Sequence, residues 1–227
     1  MRGVLKKLKK PARRVLDPTD WGSFRSNRPK SRHYGTDRGT ALDRHYIEAF
    51  LAEHAKDVQG VVLEVASDAY ARRFGGSRIE RTEVVSIVAG PGVTIVGDLT
   101  SPETLPKDHF DCIILTQTLC FIYDVKAALA NCHAALRKGG VLLMTVPGIC
   151  QISSFDDGLT GDYWRFTAAS TQRLVEECFP EAAVGSYGNV LAAVAYLHGI
   201  AREELTHDEL DHHDREYQMI VAARAVK

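Results

Sequence analysis

Long apolar runs and an excess of charge of one sign are both missing from this sequence of 227 residues. No apolar stretch is long enough to cross a bilayer, and no apolar segment follows the basic start, so we expect neither a membrane-spanning helix nor a signal peptide. The formal net charge of −1 creates no overall basic field, and we therefore expect no nucleic-acid partner. Since 45% of the residues are hydrophobic and 25% are charged, we expect a globular chain that is long enough to bury a core.

Residues that form disulfides or bind metals are present, but they lack the spacing that either would need. The five cysteines are odd in number and show no C-x-x-C pair, so we interpret them as reduced, mostly buried thiols of a cytoplasmic protein. The histidine-rich segment 207–214 matches no ligand signature. We interpret it as a solvated, charged connector and predict no metal site.

The first 37 residues are predicted to be a basic, flexible extension. Seven Lys or Arg residues precede the first acid, Asp17, and the apolar residues among them are few. A weak contact of residues 1–14 with an anionic membrane surface is the alternative interpretation, although the apolar stripe is short for such binding. Residues 38–227 contain no linker and no internal repeat, and we predict that they form one domain.

The segment 61–76 is predicted to be a buried strand, a turn and the start of a helix. Its apolar run is interrupted only by Glu64, which is the pattern of a central parallel strand covered on both faces. Dinucleotide-binding proteins place glycines in such a turn so that a pyrophosphate can contact the backbone. Here the turn at 66–69 has no glycine and Asp68 adds a negative charge, and both features disfavour NAD or FAD.

Acidic residues mark three successive predicted strands. Glu64 ends the first strand, Glu83 lies in the second at 79–85, and Asp98 follows the third at 93–96. The carboxyl ends of parallel strands meet at one edge of a sheet, where ligands bind. We predict at this edge a pocket for a polyhydroxylated, partly cationic small molecule.

The remaining patterns predict an α/β order of elements. A helix over 38–55, with Asp43 as its N-cap, precedes the first strand. The crossover helix over 69–74 ends at two glycines, and Gly139-Gly140 caps a later helix that starts at Val125. Further strands are predicted at 110–118, 141–146, 182–187 and 217–223, and further helices at 168–179 and 189–201.

This order of elements, the run LEV-x-x-D-x-Y-x-R-R-F-G and the later L-R-K-G-G-V-L-L resemble the class I S-adenosylmethionine-dependent methyltransferases. The resemblance covers about residues 38–225 and is strongest to a bacterial small-molecule branch of the methyltransf-type-eleven kind. It implies an α/β, Rossmann-like three-layer sandwich. The seven-stranded sheet of this fold is mostly parallel, with an antiparallel last strand, and the cofactor is S-adenosyl-L-methionine.

The same resemblance implies which residues bind the cofactor. The sulfonium is a strong electrophile, so in-line transfer to an aligned acceptor requires no nucleophilic side chain. The implied contacts are Glu64 with the backbone of Val65, Ala66 and Ser67 at the methionyl amine end, Glu83 on the ribose hydroxyls, Asp98 on the adenine amino group, Leu99 against the ring, and Thr116 and Gln117 on the sulfonium side.

The loop at 148–167 is predicted to cover the acceptor, for which our first hypothesis is a hydroxyl of a sugar or glycoconjugate. Asp162 and Tyr163 are the predicted catalytic residues, with Asp162 as the candidate base. Trp164 or Tyr163 would stack on a sugar or ring, and Arg165 would bind an anionic group. The alternative is a lid whose aromatic residues pack on the domain while Arg165 pairs with Asp162.

The helix before the first strand is a further candidate for ligand contacts. In methyltransferases such a helix crosses the carboxyl edge of the sheet, so Arg38, Arg44 and Tyr46 are expected within reach of a bound ligand. The alternative is that Tyr46 packs and the two arginines are solvated.

The glycine-free turn keeps a second function open. Methyltransferases usually carry glycines there, in a pattern such as E-x-G-x-G-x, and their absence favours a non-catalytic relative that acts as a scaffold or regulatory partner. Glu83, Asp98 and the aromatic loop favour the enzyme. A third hypothesis, an NAD-dependent oxidoreductase, is disfavoured by the missing glycines.

Overall fold

The computed structural model describes residues 20–153 and 160–227, in which one seven-stranded sheet forms the centre. The predicted contact of residues 1–14 with a membrane surface lies outside these ranges. The strands are β1 Gly60–Val65, β2 Ile79–Ser86, β3 Ile95–Val96, β4 Phe110–Thr116, β5 Leu136–Pro147, β6 Glu181–Tyr187 and β7 Ile220–Val226. Their order in the sheet is β3-β2-β1-β4-β5-β7-β6. β7 is antiparallel to both of its neighbours, β5 and β6, and the other neighbouring strands pair in parallel, which confirms the predicted sheet.

Helices cover both faces of this sheet. They are α1 Asp43–Glu53, α2 Val125–Ala135, α3 Ala168–Glu176, α4 Val190–Leu197 and α5 His207–Asp211. Alternate residues of β4 separate two apolar clusters, because successive side chains of a strand point to opposite faces. Ile113 packs in the cluster that contains α2 and α3, whereas Ile114 packs in the cluster that contains α1. The predicted three-layer sandwich is confirmed.

Two predicted helix caps are wrong. Asp43 is not an N-cap, because the cap position is Leu42 and Asp43 is the first helical residue. The glycines at 139–140 lie inside β5 rather than capping α2. The backbone adopts an extended conformation from Leu136 onward, and Leu136 pairs with Phe110 of β4. A side chain at Gly140 would approach the Phe110 carbonyl oxygen to 3.0 Å, so the tight pairing of β4 and β5 explains this glycine.

The connection from β1 to β2 is helical from residue 69, as predicted. It contains a π-helical turn, Ala71–Gly75, and is followed by a 3₁₀ turn, Gly76–Arg78. Among residues 20–153 and 160–227, no helix combines the length and apolarity needed to cross a membrane.

Candidate active site

The turn after β1 keeps a glycine-like backbone although it contains no glycine. Ala66 has φ +66°, in the left-handed region that costs a residue with a side chain roughly 1–2 kcal/mol. Its N–H donates to the Val85 carbonyl oxygen at 3.0 Å, and the Ser67 N–H donates to that of Val65 at 2.8 Å. The departure from the glycine-rich pattern therefore changes the residue types of this turn and leaves its left-handed conformation intact.

Glu64 holds this turn to the helical segment that follows it. Its carboxylate accepts hydrogen bonds from the backbone N–H of Ala71 at 2.8 Å and of Tyr70 at 3.3 Å. The side chain is buried, and this burial raises the pKa of Glu64 to about 7. The two hydrogen bonds act in the opposite direction and lower the pKa, but their effect is smaller. Both oxygens are thus engaged in anchoring backbone at the edge of the site.

Two adjoining cavities open at the carboxyl ends of the parallel strands. The larger has a volume of about 580 Å³ and lies between the ends of β1, β4 and β5 and the start of α1. The smaller, of about 330 Å³, lies at the ends of β1, β2 and β3. Residues that line both cavities are Val65, Ala66, Thr118, Phe121 and Ser153.

Besides Val65 and Ala66, two more of the predicted cofactor residues line the smaller cavity. Asp98 and Leu99 line it, and Leu99 is buried. The Asp98 carboxylate accepts a hydrogen bond from the Thr100 N–H at 2.8 Å. The backbone carbonyl oxygen of Asp98 accepts one from the Thr104 hydroxyl at 2.6 Å. These local bonds fix the chain that closes the cavity after β3.

Glu83 is not brought to either of these two cavities. It lies inside β2, opposite Leu63, and its carboxylate forms an ion pair with Arg81 at 2.8 Å. The reason is that β2 continues for three residues beyond Glu83 and ends at Ser86, where it pairs with Val96. The residue that lines the cavity at this strand end is Ser86, which our sequence analysis missed.

The larger cavity contains the predicted residues at the end of β4. Thr116 and Gln117 both line it, together with the turn at Val65, Ala66 and Ser67. Gln117 has φ +50°, and its N–H donates to the Thr145 carbonyl oxygen at 2.8 Å. A sharp bend directly after β4 therefore presents Gln117 to the cavity.

Asp162 and Arg165 form one wall of the larger cavity as a bound pair. The two guanidinium nitrogens lie 2.5 and 2.8 Å from the two carboxylate oxygens, and one of those oxygens also accepts from the Ser153 N–H at 2.7 Å. Arg165 further donates to the Gln151 carbonyl oxygen, and its bond to Asp162 raises the pKa of the guanidinium. This is the pairing that we gave as the alternative to independent roles.

Tyr163 and Trp164 lie outside both cavities, in contrast to their predicted roles. The Tyr163 ring is half exposed and packs edge-on against Tyr123, with ring centroids 5.3 Å apart. The Trp164 indole donates to the Ile122 carbonyl oxygen at 3.1 Å. The backbone of both residues is tied to Cys120, which turns their side chains onto the outer surface while Asp162 and Arg165 face inward.

Tyr46, which we predicted to contact a ligand, lines neither of the two cavities. Tyr46 is buried, its hydroxyl donates to the Leu210 carbonyl oxygen at 2.9 Å, and its ring stacks on Tyr187. The helix reaches the larger cavity one turn earlier, through Asp43 and Arg44.

The two arginines of this region differ in position. Arg44 lines the larger cavity and donates to the Tyr70 hydroxyl at 2.9 Å, whereas Arg38 forms an exposed ion pair with Glu204. Of the three residues expected to reach a ligand, only Arg44 is in place.

The thiols near the cavities are buried or half-buried among the residues that the structure describes. No group of three possible metal ligands occurs in the part of the chain that the structure describes. Cys120 and Cys150 line the larger cavity, and burial raises their pKa values to about 12 and about 11. Both thiols are therefore neutral near pH 7 and serve as apolar lining.

Part of the chain matches a known protein family by sequence. Residues 45–144 match the family model described as a methyltransferase domain. No curated protein sequence matches the chain.

Solved structures of methyltransferases share the fold at low sequence identity. An S-adenosylmethionine-dependent methyltransferase from Mesorhizobium loti has 16% identity and a TM-score of 0.53, with 82% of this chain and 98% of that chain covered. One from Archaeoglobus fulgidus has 13% identity and a TM-score of 0.55, covering 86% and 97%. The N-methyltransferase NodS from Bradyrhizobium japonicum, in complex with S-adenosyl-L-homocysteine, has 12% identity and a TM-score of 0.51, covering 84% and 89%.

The residues of the sheet edge suit S-adenosyl-L-methionine. This cofactor carries no phosphate, so the turn after β1 needs no glycine-rich cradle and tolerates an acid such as Asp68. The left-handed Ala66 and the largely apolar smaller cavity leave room for a nucleoside beside the backbone. Residues 45–144 therefore resemble a methyltransferase domain, and the sheet has the fold of the S-adenosylmethionine-dependent methyltransferases to which the chain is similar.

Proposed function

We propose that the protein transfers a methyl group to a hydroxyl of a small molecule, such as a sugar or glycoconjugate, bound in the larger cavity. The observation that carries this proposal is the meeting of the two cavities at Val65, Ala66 and Thr118, at the ends of β1 and β4. A nucleoside in the smaller cavity would place the rest of the cofactor toward the larger one. The acceptor then needs only to be aligned there.

The proposed cofactor contacts follow from the lining of the cavities. When bound, S-adenosyl-L-methionine supplies an electrophilic methyl group on a sulfonium. We assign the adenosine to Ser86, Asp98 and Leu99, and the methionyl part to the backbone of Val65, Ala66 and Ser67 with Thr116 and Gln117. Glu64 supports this turn by holding the backbone of Tyr70 and Ala71.

The larger cavity supports a small polar acceptor. Its volume of about 580 Å³ is that of a small-molecule site. Hydroxyl, carboxyl and guanidinium groups line it beside apolar surface, a mixture that suits a polyhydroxylated molecule. The Asp162–Arg165 ion pair is held in place at the side of this cavity, because each partner forms a further hydrogen bond with the backbone. Since the five cysteines are free, we also propose a reducing compartment, the cytoplasm.

Calorimetric titration with S-adenosyl-L-methionine and S-adenosyl-L-homocysteine tests the cofactor assignment. The substitution Ser86→Trp fills the smaller cavity and is expected to weaken binding by about tenfold or more, a loss of about 1.4 kcal/mol. The matched control is Glu83→Ala in the same strand, which removes an acid that lines neither cavity and should leave the affinity unchanged.

Two results would contradict the proposal. Folded wild-type protein that binds neither compound would refute the cofactor site. Loss of binding in Glu83→Ala with retention in Ser86→Trp would move the site away from the smaller cavity. After binding is established, transfer of a labelled methyl group to nucleotide sugars and glycans tests the class of acceptor.

A further inference from the structure

Helix α4 is apolar on every side, although one of its faces is exposed. Its sequence, VLAAVAYL, contains no charged residue. Val190, Leu191 and Leu197 are 51%, 45% and 42% exposed, and Val194 between them is half-buried. Positions i, i+4 and i+7 share one side of a helix, so these four residues form an apolar stripe on the surface. A surface helix normally presents polar residues there, and the stripe therefore suits a partner that is itself apolar.

The first described segment of the chain runs beside the C-terminal end of α4. The backbone N–H of Lys30 donates to the His198 carbonyl oxygen at 2.8 Å. Phe24 packs edge-on against the His198 ring, with ring centroids 4.8 Å apart, and lines a surface groove of about 500 Å³ together with Leu191 of the stripe. Trp21, three residues before Phe24, is 57% exposed. An exposed indole thus lies on the same segment that packs against α4.

The charges of the chain are divided unevenly between this segment and the rest. Residues 1–32 contain eleven Lys or Arg residues and two acids, whereas residues 33–227 contain 17 Lys or Arg residues and 27 acids. The net charge of −1 therefore combines +9 in the first part with −10 in the second. Such an asymmetry indicates a basic segment that contacts an anionic partner.

The protein does not neutralise the described cations of this segment. Four exposed cations follow Trp21 and form no ion pair with a described residue: Arg25, Arg28, Lys30 and Arg32. The nearby acids are already engaged. Glu204, which lines the groove, pairs with Arg38 at 2.6 Å. Asp20 and Glu209 accept hydrogen bonds from neighbouring backbone N–H groups.

We propose that the stripe of α4, Trp21 and the cations of residues 1–32 together bind the surface of an anionic lipid bilayer. This proposal concerns a surface of the protein and does not depend on the proposed function. Each Lys or Arg near such a surface raises the affinity roughly fivefold. An indole suits the headgroup region because it has an apolar body and a polar N–H. The stripe of α4 supplies the apolar area that residues 1–14 have too little of.

Charge disfavours the other occupants of this face. A twofold dimer brings the same patch of both copies together, so two segments of charge +9 would repel each other. Residues 1–19, if they covered the stripe, would add their cations to those of residues 20–32. A nucleic acid would neutralise the cations, but its phosphates would not favour contact with the stripe. A bilayer suits both features, since anionic headgroups cover an apolar interior.

Co-sedimentation of the full chain with lipid vesicles tests the proposal. One set of vesicles is phosphatidylcholine alone, and the other is an equimolar mixture with phosphatidylglycerol. We expect the wild type to bind the mixed vesicles at least about tenfold more tightly than phosphatidylcholine alone. This binding should weaken as the salt concentration rises, because salt screens the cations from the headgroups.

The double variant Leu191→Gln with Leu197→Gln tests the apolar stripe. Both positions are exposed, so the fold should tolerate the change. The matched control is Val88→Gln with Val96→Gln, which alters two apolar residues of similar exposure, one after β2 and one in β3. Affinity for the mixed vesicles should fall by about tenfold in the α4 variant and by less than about twofold in the control.

The double variant Arg25→Gln with Arg28→Gln tests the contribution of charge. The matched control, Lys138→Gln with Arg173→Gln, removes two exposed cations elsewhere on the domain. We expect a loss of about tenfold or more in vesicle affinity for the first pair only.

Fluorescence reports the position of the indole. The chain has two tryptophans, so Trp21 is the only one in Trp164→Phe. Its emission should shift to shorter wavelength when mixed vesicles are added, because the ring leaves water.

Several outcomes would overturn the proposal. The first is wild-type protein that binds neither kind of vesicle. Equal binding by Leu191→Gln with Leu197→Gln and by its control would reduce the contact to charge alone. Light scattering that finds a dimer, dissociated by the two leucine substitutions, would assign the stripe to a second copy. Trp21 emission that is already at short wavelength in the free monomer would assign this face to residues 1–19.

Discussion

Replacing Glu64 with glutamine is expected to remove a pH-dependent loss of stability. The carboxyl group is 4% exposed, and burial raises its pKa from 4.5 to about 7 in the folded protein. The unfolded chain therefore releases this proton at lower pH than the folded chain does. The stabilisation linked to the proton is fully present below about pH 4.5 and is lost as the pH rises through about 7.

The size of this effect follows from the two pKa values. Each unit of difference corresponds to 1.36 kcal/mol, so ionising Glu64 costs the folded state about 3 kcal/mol at most. Glutamine retains an oxygen that can accept from the Ala71 N–H but does not titrate. The stability of the wild type relative to Glu64→Gln should therefore fall by about 3 kcal/mol between about pH 4.5 and pH 8.5.

Urea unfolding at a series of pH values measures this difference by linear extrapolation. The control is Glu53→Gln, which makes the same chemical change at an exposed position of α1. A Glu64→Gln difference that stays constant within about 0.5 kcal/mol across the range would refute the reasoning, because mutational effects of that size need no buried ionisation.

Three further predictions concern packing, the larger cavity and its wall. Gly148→Ala should lower the free energy of unfolding by about 2 kcal/mol or more, because the new methyl group would overlap the Gln218 carbonyl oxygen. The control Gly185→Ala places its methyl group in open space and should change the free energy of unfolding by less than about 0.5 kcal/mol. Equal effects of the two substitutions would contradict this prediction. Cys150 lines the larger cavity, so S-adenosyl-L-homocysteine together with phenol should slow the modification of its thiol by a thiol reagent. Mass spectrometry measures the modification, with Cys150→Ala as the control. An unchanged rate of labelling would argue against a ligand in the larger cavity. Arg165→Lys should speed proteolysis near 150–165, since lysine cannot make the paired contacts to Asp162, and the exposed Arg173→Lys should not.

The hydrophobic pattern predicted seven strand segments, whereas the mostly parallel sheet with an antiparallel last strand was implied by the resemblance to methyltransferases. The structure has seven strands, and β7 is antiparallel to β5 and β6. Burial on both faces forces such runs to be continuous, so the signal survives in the sequence without any knowledge of partners. Strand ends were predicted less well, because they depend on pairing. The extension of β5 back to Leu136, for example, follows from its contact with β4.

The prediction for Glu83 failed for the same reason. From the sequence, an acid near the end of an apolar run marks the carboxyl end of a strand. In the folded chain, pairing with β1 and β3 extends β2 to Ser86, which moves Glu83 away from the cavity edge and brings a small hydroxyl residue there instead. Asp98 and Thr116 reached the cavities because turns follow them directly.

Neighbouring residues of one loop were also separated by the tertiary structure. Four consecutive residues of this loop were predicted from the sequence to contact the acceptor: Asp162, Tyr163, Trp164 and Arg165. Bonds of the Tyr163 and Trp164 backbone to Cys120 turn the two aromatic rings outward, while the charged pair closes the wall of the larger cavity. Orientation within a loop depends on which distant backbone it contacts, and no periodicity encodes that.

The sequence by itself determined the order of strands and helices, the edge of the sheet at which we expect a ligand, and the absence of a phosphate-binding glycine turn. These properties follow from local patterns of apolar residues, acids and glycines. Only the tertiary structure decided which acids line the cavities. The sequence predicts Asp43 as a helix cap. The packing of α1 against the larger cavity and α4 buries its carboxyl group and leaves one oxygen without a described partner.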